Sequence, residues 1–164
     1  MTKDRHLGDR QLGDRQLGDR QLVLTREMQA PPAKLWLCWT DPALLPQWFG
    51  PDGFSCLTKE IDLRTGGQWR FDLIGPDGTV WPNRHRYTLQ QATSRIEFLM
   101  DGDDDSQPPM QVVVQIEPHG TGSRLTQTIT LPSAEAKQNA LSFGADRLGL
   151  QTLGKMDAMA LQLG

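Results

Sequence analysis

Three polar side chains share one face of a predicted β-strand. Asn83, His85 and Tyr87 alternate with two arginines, and the two-residue period of a strand directs all three to the same side. A histidine titrates near neutral pH, so His85 could act as a general base or orient a ligand carbonyl. The other interpretation is a histidine at the mouth of a cavity, satisfied by water or by a backbone carbonyl.

Bulky aromatic residues are numerous for a chain with one small predicted sheet, and it contains five tryptophans. Most of these rings are expected to form the core. A ligand cavity needs only some of them, together with a few fixed polar groups. The residues predicted to bind a ligand are Trp48, Trp69, Trp81, Asn83, His85, Tyr87, Phe98 and Phe143. Gln127 is a further polar candidate of the same kind.

The sequence carries no recognisable catalytic or metal-binding constellation. No Gly-x-Ser-x-Gly motif occurs, and the remaining histidines, His6 and His119, lie in the N-terminal segment and in a glycine-rich turn. No cluster of Cys and His has zinc spacing, and the acidic run from Asp101 to Asp105 lacks the pattern of an EF-hand loop. We therefore predict no catalytic residue, no metal and no cofactor.

Composition and charge exclude several classes of partner. The 164 residues fit one domain, the net charge is −3, and Lys and Arg are scattered, which argues against nucleic acid and membrane surfaces. No apolar run approaches the length of about 18 residues that a membrane span needs, and the charged N-terminus is unlike a signal peptide. The two cysteines lie in unrelated contexts, so we expect a reducing, cytoplasmic setting.

A five-residue repeat occupies the N-terminus. The unit Leu-Gly-Asp-Arg-Gln occurs three times between residues 7 and 21. A period of five matches neither a helix face nor a strand face, and the glycine in every unit opposes both structures. We predict a disordered tail over residues 1–20 and one folded domain over residues 21–164, with a binding tail as the alternative.

Period-two alternation predicts seven strands joined mostly by short turns. They are expected near residues 22–28, 54–63, 67–74, 79–90, 94–101, 110–117 and 122–131. Asp77-Gly78 is the strongest hairpin signal, and short connections imply antiparallel neighbours. After the first strand, prolines at first-turn positions predict two short helices, over residues 32–40 and 42–48.

The last thirty residues predict one long helix, over residues 132–163. Apolar residues recur at steps of three and four from Leu141 to Leu163, which places them in one stripe. Such a helix would be about 45 Å long. Its apolar stripe needs a large partner, and a curved sheet supplies one. The order β-α-α-β6-α therefore predicts an α+β helix-grip fold, with a curved antiparallel seven-stranded sheet around a long C-terminal helix.

Several short motifs occur in the order and spacing of a known family. They include Trp39-Thr40-Asp41-Pro42, Trp48-Phe49-Gly50-Pro51, Gly66-Gly67-Gln68-Trp69-Arg70-Phe71, Gly75-Pro76-Asp77-Gly78 and Gln151-Thr152-Leu153. Over about residues 20–163 the chain resembles the START-like (SRPBCC) superfamily. Within it, the chain is most similar to the group related to the C-terminal domain of the activator of Hsp90 ATPase.

This resemblance implies a cavity between the sheet and the long helix, but no single function. The superfamily includes carriers of apolar ligands, aromatase- and cyclase-like enzymes of polyketide pathways, and chaperone activators. We expect non-catalytic binding of a small apolar or aromatic molecule. The alternatives are a cyclase-like enzyme that uses His85 and Tyr87, and an Hsp90-type co-chaperone or other protein-interaction role. A homodimer and a protein partner stay open. The family often has glycine at the position of His85, so this residue could shrink or retune the cavity.

Overall fold

Residues 18–163 are described by a computed structural model of the chain. Of the tail predicted for residues 1–20, residues 1–17 lie outside the described residues. The division into a tail and a domain therefore stays a prediction. The strands are β1 (Gln21–Met28), β2 (Ser55–Ile61), β3 (Gln68–Ile74), β4 (Val80–Gln91), β5 (Arg95–Asp101), β6 (Met110–His119) and β7 (Gly122–Thr130).

All seven strands form one antiparallel sheet in the order β1-β7-β6-β5-β4-β3-β2. From β2 to β7, each strand pairs with its neighbour along the chain, as the short connections predict. The exception is β1, which pairs with the last strand. The two helices that follow β1 carry the chain across the sheet to β2, at the opposite edge. The predicted helix-grip fold is confirmed.

Four helices accompany the sheet within residues 18–163. They are α1 (Pro32–Thr40), α2 (Leu45–Trp48), α3 (Ala134–Ser142) and α4 (Ala145–Gln162). None of these helices is long and apolar enough to cross a membrane. The Ser133 side chain accepts a hydrogen bond from the Ala136 N–H at 3.0 Å and caps α3, as a serine before an acidic first turn predicts.

The prediction of a single helix over residues 132–163 is wrong, because the helix is interrupted at Gly144. This residue has φ 78° and ψ 29°, a left-handed conformation that glycine adopts without a Cβ penalty. The break ends α3 at Ser142 and lets α4 start in a new direction at Ala145. The helix against the sheet is therefore 18 residues, or about 27 Å, long.

The core lies between the concave face of the sheet and two helices. From α4, the side chains of Leu153, Met156 and Ala160 are buried, and α1 contributes Leu35 and Trp39. In contrast, α3 buries none of its side chains. The long helix that the sheet encloses is thus α4, which also defines where a cavity can form.

The opposite face of the sheet carries an ion-pair network closed by the acidic β5–β6 connection. Asp101 accepts two hydrogen bonds from Arg84, at 2.9 and 2.8 Å, and a third from Arg86 at 2.8 Å. Asp103 accepts a similar pair from Arg70, at 2.8 and 3.0 Å. The side chains of Asp101 and Asp103 are only 3% and 8% exposed. The last residue of β5, Asp101, and Asp103 in the connection are therefore buried as hydrogen-bond acceptors.

We expect Asp101→Asn to lower the free energy of unfolding at pH 7 by about 2 kcal/mol, because hydrogen bonds to a buried charged group are lost. Burial, the largest single effect, raises the pKa of Asp101, but the hydrogen bonds from Arg84 and from the Asp103 N–H, together with the charges of Arg84 and Arg86, hold this pKa below the ordinary 3.8. A depressed folded-state pKa gives stability that is present above about pH 4 and is lost as the pH falls through the lower folded-state value. The variant should therefore lose less stability than the wild type below pH 4.

Urea unfolding at pH 7 and pH 3 measures both effects. Asp105→Asn is the matched control, because Asp105 also contacts Arg84, at 2.9 Å, but has a side chain that is 91% exposed. An exposed ion pair contributes about 0–1 kcal/mol, so this control should stay close to the wild type. Equal stabilities of the wild type and Asp101→Asn at pH 7 would show that the network contributes nothing.

Candidate functional site

A cavity of about 330 Å³ lies between the concave face of the sheet and α4. Its volume lies at the lower end of the range of about 300–1,000 Å³ that is typical of small-molecule sites. The sheet contributes its floor through Leu73, Asn83, Met100 and Gln127. The roof comes from one side of α4, through Ala145, Leu148, Gly149, Thr152 and Leu153. The cavity therefore lies where a helix-grip fold is expected to hold a ligand.

The third wall comes from α1, α2 and the loop after them. The rings of Trp39 and Trp48 meet edge to face, with centroids 4.8 Å apart and planes at 78°. The indole N–H of Trp48 donates to the carbonyl of Cys38 at 2.9 Å, so this ring has a fixed orientation. Between the helices, Asp41 ends α1 and its Oδ1 accepts from the Ala43 N–H at 2.8 Å, which reverses the chain. The Trp-Thr-Asp-Pro motif thus builds one side of the cavity.

The loop after α2 is tied to the cavity roof. Lys155 of α4 donates from Nζ to the carbonyl oxygens of Gly50 and Pro51, at 2.9 and 3.2 Å. One turn earlier, Oε1 of Gln151 accepts from the Asp52 N–H at 3.0 Å. These bonds join two walls of the cavity, so the main chain of the loop is held against α4 before any ligand arrives.

Polar groups on the cavity wall are few. The side-chain N–H of Asn83 donates to the carbonyl of Trp81 at 2.9 Å, which directs the amide along its own strand. Thr152 donates from Oγ1 to the carbonyl of Leu148 at 3.0 Å and keeps its acceptor lone pairs. An apolar lining with a small number of polar groups is the usual composition of a small-molecule site.

His85 lies directly beneath the cavity floor and is completely buried. The rings around it, with their centroid distances, are Phe98 (4.4 Å), Phe49 (5.1 Å), Phe71 (5.2 Å) and Trp69 (5.3 Å). Neither ring nitrogen has a hydrogen-bond partner among the described residues. Burial lowers the pKa of His85 to about 3, although the negative charge of Asp101 by itself would raise this pKa. The imidazole is therefore neutral at physiological pH.

Tyr87 occupies the next position on the same face of β4. It is 2% exposed, and its hydroxyl also lacks a partner within residues 18–163. Burial raises the pKa of this phenol well above its ordinary value. The ring centroids of His85 and Tyr87 are 6.4 Å apart, and no hydrogen bond joins the two side chains. The two groups are neighbours without forming an acid–base pair.

The eight residues predicted to bind a ligand fall into three groups. Trp48 and Asn83 lie on the cavity wall. The next four form the packed layer beneath the floor, namely Trp69, His85, Tyr87 and Phe98. The remaining two lie at the surface. Gln127, the further polar candidate, is on the cavity floor.

Trp81 and Phe143 lie outside the cavity, contrary to the prediction. Trp81 is 55% exposed and Phe143 is 82% exposed. Trp81 is the second residue of β4 and lies at the end of the sheet, where it lines a separate groove of about 380 Å³ with Pro82 and Met110. Phe143 caps the end of α3, so the break at Gly144 removes it from the face that α4 presents to the sheet.

Some cavity residues were missed by the sequence analysis. Met100 lies on the floor, and its signal was present, since it follows Phe98 by two residues on β5 and so shares its face. Leu73 on β3 could have been found in the same way. No group of three or more His, Cys, Asp or Glu side chains in the described part of the chain is placed to hold a metal ion.

Comparison with known proteins gives one family. The family model described as activator of Hsp90 ATPase homolog 1-like protein matches residues 29–159. No curated protein matches the chain. Protein Ms6760 from Mycobacterium smegmatis is 28% identical, with a TM-score of 0.77 over 87% of this chain and 92% of that chain. An AHSA1 protein from Silicibacter pomeroyi is 25% identical, with a TM-score of 0.70 over 87% and 99% of the two chains. A protein from Arthrobacter aurescens, 23% identical, shares the fold with a TM-score of 0.79 over 90% of each chain. The chain belongs to the family of activator of Hsp90 ATPase homolog 1-like proteins.

Proposed function

We propose that this protein binds a small apolar or aromatic molecule, without transforming it, in the cavity between the sheet and α4. The observation that carries the proposal is the cavity of about 330 Å³, walled by Trp39, Trp48 and Leu148. Its walls are joined by hydrogen bonds from Lys155 and to Gln151. A site that is already shaped needs little ordering when a ligand binds, which favours affinity.

The arrangement of side chains does not favour the cyclase-like alternative. A general base should titrate near the working pH, whereas the pKa of His85 is about 3 and its nitrogens are enclosed by aromatic rings. The cysteines offer no activated nucleophile, since burial raises the pKa of Cys38 to about 11 and that of Cys56 to about 12. Binding a ligand without transforming it does not require any of these groups to exchange a proton.

The protein-interaction alternative has a weaker basis in this fold. It would be favoured by a solidly packed interior together with a contiguous exposed apolar patch. The interior instead contains the cavity. Exposed rings do occur, at Trp81 and Phe143, but the two residues belong to different elements. We keep the small-molecule role as the proposal, in the reducing cytoplasm that the free thiols of Cys38 and Cys56 suit.

We expect 2-methylnaphthalene to bind the wild type and to raise its melting temperature in a saturable way, because a ligand of the native state stabilises it. In Thr152→Phe the affinity should fall by about tenfold or more, equivalent to about 1.4 kcal/mol. Thr152 lies on the cavity wall, so the larger ring would occupy the space that the ligand needs. Isothermal titration calorimetry gives the affinities, and differential scanning fluorimetry gives the melting temperatures.

Ala158→Phe is the control for this experiment. It adds a phenyl ring to the same helix at an exposed position, so its affinity should equal that of the wild type. The cavity would not be the binding site if Thr152→Phe and Ala158→Phe bound the probe equally well. If neither 2-methylnaphthalene nor other bicyclic aromatic compounds bound the wild type, the proposed function would be wrong.

A further inference from the structure

We propose that the ligand of this cavity carries a neutral hydroxyl group, which it places against His85 and Tyr87 once the ring of Phe49 has turned aside. The inference rests on the proposed function and adds the chemical class of the ligand. That class is a ring-containing apolar molecule with a phenol or alcohol group, rather than a pure hydrocarbon or an anion.

Three buried polar atoms at this position have no partner among the described residues. They are Nδ1 and Nε2 of His85 and the hydroxyl oxygen of Tyr87. The two residues are 0% and 2% exposed, so solvent does not reach them as they stand. Buried polar side chains are normally hydrogen-bonded, and an unpartnered one loses its hydration without compensation. Two residues that are neighbours on one face of β4 and both lack a hydrogen-bond partner indicate a site that a further molecule completes.

The unpartnered atoms adjoin the cavity floor. Asn83, which lines the cavity, precedes His85 by two residues on the same face of β4. Met100, another floor residue, is the cross-strand partner of His85 in the register of β4 and β5. His85 is therefore the next residue inward from the floor, and Tyr87 follows it along the strand.

Phe49 separates His85 from the empty part of the cavity. Its ring lines the cavity and also meets His85 edge to face, with centroids 5.1 Å apart and planes at 72°. The main chain here is held by Cys56, whose Sγ lies 3.5 Å from the Phe49 carbonyl, and by the bond from Lys155 to Gly50. The proposal requires the half-buried ring, which also packs against Trp48, Trp69 and Phe71, to turn about its side-chain torsions to another staggered position. Such a rotation joins the cavity to His85 without moving the backbone.

The chemistry of the two residues selects a hydroxyl group. A neutral imidazole has one N–H donor and one acceptor nitrogen, and a phenol both donates and accepts. A hydroxyl group matches this set because it also donates and accepts. A carboxylate does not match, because the surrounding rings of Trp69, Phe71 and Phe98 provide no cation for a buried charge. The same rings suit an aromatic ligand body through stacking and edge contacts.

The test compares two probes of nearly equal shape, 2-naphthol and 2-methylnaphthalene, by isothermal titration calorimetry. Each probe is titrated into the wild type, Tyr87→Phe and His85→Phe. The measured quantity is the affinity for 2-naphthol divided by the affinity for 2-methylnaphthalene. We expect this ratio to fall by about fivefold in each variant, because each removes one hydrogen-bond partner of the hydroxyl group. The methyl probe is the internal control for changes in cavity shape.

Melting temperatures without ligand give a second readout. Tyr87→Phe removes a single oxygen atom, so it keeps the test valid even if His85→Phe fails to fold. We expect its melting temperature to equal or exceed that of the wild type, since an unpartnered group is removed. A fall of about 3 °C or more would mean that the hydroxyl already has a partner in the free protein, and would overturn the inference.

The remaining outcomes separate this inference from the proposed function. If both probes bind the wild type and the affinity ratio is the same in all three proteins, the ligand class is wrong while the cavity role stands. If neither probe binds the wild type, the proposed function and this inference fall together. A lower ratio in both variants, with measurable binding of 2-methylnaphthalene, supports the assignment.

Discussion

Replacing Asp157 by alanine is expected to lower the free energy of unfolding by about 3 kcal/mol, because two backbone N–H groups, one of them buried, lose a charged acceptor. The carboxylate lies on α4 and is 8% exposed. Its oxygens accept from the Gln29 N–H at 2.9 Å and from the Ala30 N–H at 3.0 Å. These residues connect β1 to α1, so Asp157 fixes the helix that forms the cavity roof to the edge of the sheet.

Urea unfolding of the alanine variant measures this contribution, with Asp157→Asn as the matched control. Asparagine keeps one acceptor oxygen and the volume of the side chain, so about half of the loss should remain. A loss of 3 kcal/mol is large against the total of about 5–15 kcal/mol that a domain of this size has. If Asp157→Ala unfolded at the same urea concentration as the wild type, the carboxylate would not hold α4 in place.

Replacing Gly122 by alanine is expected to cost about 3 kcal/mol or more, because the added Cβ would overlap backbone atoms of the neighbouring strand. Gly122 is the first residue of β7 and is buried. Its Cβ would fall well inside van der Waals contact with the carbonyl oxygen of Met28, and 2.9 Å from that of Gln29. No side-chain rotation relieves a clash with main-chain atoms, so β1 and β7 would have to separate.

Gly102→Ala provides the comparison for Gly122→Ala. The atom nearest to a Cβ at Gly102 is the carbonyl oxygen of Pro82, at 3.9 Å, which is an ordinary contact. We expect this variant to lie within about 0.5 kcal/mol of the wild type. Thermal unfolding of both variants tests the difference, and similar melting temperatures for the two would contradict the predicted close approach.

The substitutions at Asp157 and Gly122 act on one junction of the fold. The carboxylate of Asp157 on α4 accepts hydrogen bonds from the backbone of residues 29 and 30, and Gly122 of β7 lies close to the backbone of residues 28 and 29. Ser123, the next residue of β7, donates from Oγ to the Ala30 carbonyl at 2.7 Å and is fully buried. The junction therefore joins the first strand, the last strand and the last helix, which closes the sheet around α4.

The strands could be predicted from the sequence because their signals are local. Alternation of apolar and polar residues identified all seven, and Asp77-Gly78 marked the turn between β3 and β4. Gly78 has φ 86°, the positive value that this hairpin signal anticipates. The pairing of successive strands from β2 to β7 follows from such turns, whereas the pairing of β1 with β7 does not.

The break in the C-terminal helix could not be predicted in the same way. Leu141 and Ala145 are four residues apart, so the helical period continues across the break and conceals it. A glycine inside a helical pattern either stays helical at some cost or turns left-handed, and the sequence around Gly144, Gly149 and Gly154 does not distinguish them. Packing decides, and only Gly144 has a positive φ.

The candidate site was predicted in part, since residue alternation gives a face but not what covers it. His85 was placed on the inward face, either as a ligand-binding group or as a histidine at the cavity mouth with water or a carbonyl as partner. In fact Phe49, from a loop far away along the chain, covers it. Trp81 is the opposite case, because no element within residues 18–163 covers enough of this end of the sheet to bury it. Whether another element covers a side chain depends on tertiary packing, and the residue pattern within one β-strand does not contain that information.

The most direct test of the central claim is a crystal structure of the protein soaked with 2-bromonaphthalene, with anomalous diffraction data collected at the bromine edge. We expect one strong bromine peak between Trp48 and the face of α4 that carries Leu148 and Thr152. Such a peak would place an aromatic molecule inside the cavity. A cavity without bromine density at saturating probe, or one filled by its own side chains, would contradict the account.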